Sequence, residues 1–268
     1  MRLAEGILKF LNGIISLAVG IALICVGAFS VYTIWDARQL YQHVDDTFAA
    51  LQEYRPTVSE KQEDSTPGFR ELQDINPDVC AWLTLTGTAI DYPVLQGRTN
   101  LIYLSADAFG NFSLAGSIFL DSRNDREARD PYLLVYGHHM EDHRMFGDLD
   151  LFLDNAFFET QTGGEYLTPQ SSYRVEPFLC LKAKETEELF FNPELALRSL
   201  PEVLAEAESR AISRDEPLLE EVKTAVQENN GESPLLLVLA TCTEGEREDR
   251  ILLISALRPL QAVREQHG

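Results

Sequence analysis

Cys242 ends an apolar run, LLLVLATC, and is followed at once by polar, turn-like TEGERED. A thiol at the mouth of a strand is accessible, and access is what a nucleophile needs. A core cysteine at a strand end would look the same. Of the other three cysteines, Cys25 lies in an uncharged N-terminal run, and Cys80 and Cys180 sit inside apolar strand-like runs as small hydrophobes. Outside that N-terminal run the cysteines number three, so at least one cannot join an intrachain disulfide. The stretch LLLVLATC–TEGERED–RILLISAL reads as a hairpin with its turn near Glu246, which leaves Cys242 and Arg250 each four residues from the centre. A regular hairpin then sets them opposite each other on one side of the sheet. A guanidinium beside a thiolate lowers the thiol pKa and can bind an oxyanion. The plainer reading is a surface arginine among Glu244, Glu246, Glu248 and Asp249.

Three of the five histidines cluster in YLLVYGHHMEDHRMFGDL, as His138, His139 and His143. Here a strand is expected to end at Tyr136, with Gly137 permitting a turn and His138 at its exit. An imidazole there could accept a thiol proton and later protonate a leaving amine. His139 and His143, with Glu141 and Asp142 between them, have the spacing of a metal pair. HMEDH, however, is not the HExxH pattern, and no helix is predicted there, so no metal and no cofactor are assigned.

These groups must be positioned by β-structure. Seven short apolar runs, VCAWLTL, TAIDYPVL, GSIFLD, YLLVYGHH, SYRVEPFLCLKA, PLLLVLATCT and RILLISALR, are bounded by Gly, Pro and Asp. Their number favours a barrel or sandwich. Residues 193–229, rich in Glu, Ala and Leu, interrupt them and read as two helical pieces split near Asp215–Pro217. The fold class is mostly β, with a helical insertion before the last two strands.

The N-terminus is a different polymer. Ile14 to Trp35 is uncharged for 22 residues, enough to span a hydrocarbon core of roughly 30 Å as a helix. Its length, with Tyr32 and Trp35 at one end, favours a retained transmembrane anchor over a cleaved signal peptide. Arg2 and Lys9 before the span place the N-terminus in the cytoplasm and the remainder outside. Three regions follow: cytoplasmic tip and anchor at 1–35, an amphipathic helix (36–54) and linker at 36–68, and an external catalytic domain at 69–268. The 268 residues carry 22 Lys+Arg against 43 Asp+Glu, a net −21, and residues 36–268 alone carry −22. Such an acid excess excludes a nucleic-acid backbone as the main partner and would draw a cationic acceptor.

Taken together, the motifs resemble the sortases, and class B sortases in particular, from about residue 69 to 260. The matching pieces are AIDYPVLQG at 89–97, Asn100 with YL at 103–104, GSIFLDSRN at 116–124, YGHHM and then MFGDL at 136–149, and LATC with Arg250 eight residues on. The resemblance implies a closed β-barrel with peripheral helices and a membrane-anchored cysteine transpeptidase on the outer face of a Gram-positive-type membrane. It implies that Cys242 attacks the carbonyl after Thr in an Asn-Pro-x-Thr-x sorting signal of a secreted protein. A peptidoglycan-precursor amine, or a pilin lysine, then resolves the thioester. His138 falls on the family's general acid/base and Arg250 on its oxyanion-stabilising arginine. Asn100, Leu104, Tyr136 and Thr241 fall on substrate-binding positions. The chain departs from the pattern at His139, a competing imidazole, and at Ala240, where serine is frequent. Two other readings are a membrane-tethered, non-catalytic binding module and a metal hydrolase using His138, His139 and His143.

Overall fold

The computed structural model describes residues 2–57, 68–228, 234–242 and 249–260. By internal contacts the chain divides into two units, Met1–Asp46 and Thr47–Gly268. Most of the linker expected before Gly68, at 58–67, and the tip of the expected hairpin, at 243–248, lie outside the described residues.

The first unit is helical. Helix α1 (Arg2–Gln52) contains no proline, and its side chains from Ile7 to Trp35 are exposed on all sides. By length and composition α1 is apolar enough to cross a membrane. The last turns of α1 belong to the second unit, where Phe48 and Leu51 are buried and the Phe48 ring lies 4.4 Å from that of Tyr92.

The second unit is built on ten strands: β1 (Val79–Leu85), β2 (Asp91–Leu95), β3 (Phe119–Leu120), β4 (Tyr132–Met140), β5 (Arg144–Met145), β6 (Gly164–Leu167), β7 (Ser172–Lys184), β8 (Ser213–Arg214), β9 (Leu235–Cys242) and β10 (Asp249–Pro259). The order β10-β9-β4-β3-β2-β1-β6-β7 closes on itself, because β10 also pairs β7. The result is an eight-stranded closed barrel with β5 and β8 as short additions. β4 and β9 run parallel, as do β2 and β3, and the other pairs are antiparallel.

Around the barrel lie α2 (Phe69–Ile75), α3 (Leu101–Leu104), α4 (Asn155–Thr160), α5 (Glu188–Phe191), α6 (Pro193–Arg198), α7 (Leu200–Arg210) and α8 (Glu216–Glu228). Within 193–229 the insertion is thus three helices, α6, α7 and α8, rather than two, and α5 directly precedes it. It breaks near the expected split, at 211–215, where Ile212 N and Asp215 N donate to the Cys180 and Phe178 carbonyls and pin the insertion to β7. It begins at Asn192, which separates α6 from α5 and whose side chain accepts from Leu195 N, and its first part breaks again at Ser199, just before Pro201.

The insertion explains why β4, β9 and β10 are apolar on both faces. Leu133, Val135, Leu237, Leu239 and Leu253 point one way and are buried. Leu134, Leu236, Val238, Leu252 and Ile254 point the other way, against Phe190, Ala196, Val203, Leu204, Leu219 and Val222 of the helices. Each such side chain contributes about 1.5–3 kcal/mol by burial. Tyr136 of β4 packs at the margin of this helix-covered core.

Candidate active site

The parallel register of β4 and β9 pairs Tyr136 with Ala240, Gly137 with Thr241 and His138 with Cys242. Partners on strands about 4.8 Å apart project to the same face, so His138 and Cys242 stand side by side. The expected turn at Gly137 does not form, since β4 continues to Met140. Gly137 is required by packing instead: an added Cβ would meet Ile118 Cδ1 at 2.4 Å and the Phe146 ring at 2.6 Å.

Because β4 continues, His138 and His139 alternate to opposite faces. His139 Nε2 pairs with Asp150 Oδ2 at 3.0 Å and His143 Nδ1 with Asp148 Oδ1 at 2.6 Å. The three histidines therefore diverge, and they form no metal-binding set among the described residues.

Arg250 arrives from the third strand. β10 pairs β9 as far as Leu252 opposite Ala240, and the same register carried two residues on would set Arg250 opposite Cys242. Between them Ile251 N donates to Thr241 Oγ1 at 2.9 Å, so the Thr241 hydroxyl extends the ladder at its end.

A cleft of about 300 Å³ opens here, lined by Asn100, Leu104, Tyr136, Thr241, Cys242 and Arg250, together with Leu101, Phe119, Glu185 and Phe191. His138 is not among the lining residues and reaches the site through its register with Cys242. Cys242 is half-buried, and burial pushes its thiol up to about 12. Arg250 and the Gly137 backbone N–H work against that rise, and the Glu185 carboxylate adds to it. The resting thiol is therefore neutral near pH 7. Glu185 also holds Arg250, with Oε2 2.5 Å from a guanidinium nitrogen, although Glu185 is mostly exposed.

The far wall is polar beneath its surface. Asn100 Nδ2 donates to Asp121 Oδ2 at 2.8 Å, its Oδ1 accepts from Ser122 N at 2.7 Å, and the Tyr136 hydroxyl donates to Asp121 Oδ2 at 3.3 Å. Glu185 and Asp121 escape the sequence reading. Glu185 lies in the acid-rich run KETEEL, where nothing distinguishes one acid from the next, and Asp121 ends an apolar run in the manner of any turn residue.

No protein-family model matches the sequence. Over 131 residues the chain is 36% identical to Sortase B of Staphylococcus aureus, covering 49% of this chain and 54% of that protein. It is 41% identical to Sortase B of Listeria monocytogenes over 110 residues, 41% of this chain and 45% of that one. The chain thus spans about half the length of the curated relatives it matches. The crystal structure of a Streptococcus pyogenes class B sortase involved in pilus biogenesis matches with a TM-score of 0.62 and 33% identity, over 71% of this chain and 97% of that one. The chain belongs to the class B sortases. In this sortase the cleft lies over Tyr136 of β4 and the adjoining ends of β9 and β10, with Phe191 of α5 forming part of its wall.

Proposed function

We propose that this sortase is a membrane-anchored cysteine transpeptidase, and one observation carries the reading. Cys242 is the register partner of His138 and shares with Arg250 the lining of a cleft large enough for a peptide segment. Cys242 Sγ attacks the carbonyl carbon of Thr in an Asn-Pro-x-Thr-x signal. As the S–C bond forms, the thiol proton passes to His138. Arg250, released from Glu185, offsets the charge on the tetrahedral oxyanion. The C–N bond then breaks, and His138 returns the proton to the leaving amine. In the second half an acceptor amine attacks the thioester, its proton passes to His138, and Cys242 leaves as thiolate and is reprotonated. Two steps through a thioester replace one difficult amide exchange.

Asn100, Leu104, Tyr136 and Thr241 hold the signal in this reading, and α1 anchors the enzyme with its N-terminus in the cytoplasm and the barrel outside. The acceptor is an amine of the cell wall. A pilin lysine is the second reading, favoured by the 33% identity to the pilus-associated relative. Both acceptors are cationic and suit the acidic outer domain. Incubating the full chain in detergent with Asn-Pro-x-Thr-x peptides and either a peptidoglycan cross-bridge amine or a pilin peptide decides between them. The expected product joins Thr to the cross-bridge amine. Product with the pilin lysine alone would replace that assignment. Peptide cleavage that persists in Cys242→Ala would remove the transpeptidase reading.

A further inference from the structure

Asp121 is fully buried, follows β3 and does not line the cleft, yet it holds two residues that do and reaches a third through Arg123. Its carboxylate accepts from Arg123 N at 3.0 Å, Arg123 Nε at 2.8 Å and an Arg123 terminal nitrogen at 2.7 Å. It also accepts from Asn100 and Tyr136. The same terminal nitrogen of Arg123 donates to the Phe191 carbonyl at 2.8 Å. One carboxylate therefore ties α3, β4 and the helical insertion together behind the cleft.

The position of Asn100 sharpens this. Asn100 precedes α3, where an asparagine side chain ordinarily caps the helix. Here it makes no such cap and turns both ends of its amide to residues 121–122. Buried ion pairs are a weak source of stability compared with apolar packing, and their best-attested role is to fix one arrangement over others. Burial alone would raise the Asp121 carboxyl, but the bonds from Arg123 and Asn100 outweigh it and hold the group below the usual carboxylate range.

We propose that Asp121 is a positioning residue that sets the shape of the acyl-donor groove by clamping Asn100, Tyr136 and, through Arg123, Phe191. The groove assignment rests on the transpeptidase reading above; the clamp itself does not. Asp121→Asn keeps the size of the side chain and removes the charge. In the full chain in detergent, hydrogen exchange at residues 97–105 and 187–192 should quicken about tenfold, with β9 and β10 unchanged. The ratio of kcat/KM for an Asn-Pro-x-Thr-x peptide over one with Ala-Ala in place of Asn-Pro should fall about tenfold. Cys242 alkylation by a small neutral reagent should stay within about twofold of wild type. Arg123→Lys keeps a cation on a partly exposed side chain and should give the same changes at smaller size, so the test survives poor folding of Asp121→Asn. Unchanged exchange in both segments would overturn the clamp, and an equal loss of kcat/KM for both peptides would overturn its part in shaping the groove. Faster exchange in a chain whose wild type cleaves neither peptide would sustain the clamp and overturn the transpeptidase reading instead.

Discussion

His138 and Cys242 are direct partners in the parallel register of β4 and β9, whereas His139 alternates to the other face and pairs with Asp150. Two adjacent imidazoles are thus given different work by strand periodicity alone. His138→Ala should lower kcat for peptide cleavage by about 10²–10⁴-fold, the usual contribution of a positioned general acid/base. His139→Ala should change it by no more than a few-fold. Steady-state kinetics on the two variants checks this, and loss confined to His139→Ala would reverse the assignment.

The Cys242 thiol, pushed up to about 12 by burial, is almost wholly protonated at neutral pH. Below its pKa the reactive thiolate grows about tenfold with each pH unit. The rate of Cys242 alkylation should therefore climb with unit slope between about pH 7 and pH 10. A plateau beginning near neutrality would indicate a resting thiolate.

Glu185 sits 2.5 Å from Arg250 and raises the Cys242 thiol. Glu185→Gln removes a negative charge from a thiol that must become one, so its pKa falls and alkylation at about pH 8 quickens by about threefold. Glu185 is mostly exposed, so the gain should shrink as salt is added. Slower alkylation at low salt would contradict this placement of Glu185.

The Thr241 hydroxyl accepts from the Ile251 N–H in a buried position. Thr241→Val keeps the shape and leaves that donor unpaired, which should cost about 1–3 kcal/mol in urea unfolding. Thr241→Ser retains the oxygen and should recover most of the loss. Equal stability of Thr241→Val and wild type would count against the bond.

What the sequence discloses here follows physical range. β1, β4, β9 and β10 are apolar runs buried on both faces over most of their length, and β7 has such a run at its centre, which makes them readable without tertiary knowledge. β6 and β8 have four and two residues, too few to carry a period, and the barrel closes through β10 and β7, a pairing no local pattern encodes. The antiparallel pairing of β9 with β10, which brings Cys242 and Arg250 to one cleft, was legible because neighbouring strands in sequence pair by a local symmetry. Gly137 misleads, since a glycine after an apolar run resembles a turn, while the constraint is close packing on Ile118 and Phe146. Asp121 was hidden for a related reason. Its partner Asn100 lies 21 positions away, and Phe191, reached through Arg123, lies 68 positions from Arg123.

The most direct test is to mix the chain with an Asn-Pro-x-Thr-x peptide, quench in acid without an acceptor amine, and measure the mass of the peptide containing Cys242. The predicted result is an acyl adduct ending in Thr on Cys242, absent from Cys242→Ala and discharged by added amine. Cleavage of the peptide with no adduct on Cys242, unchanged in Cys242→Ala, would contradict nucleophilic catalysis at this cleft.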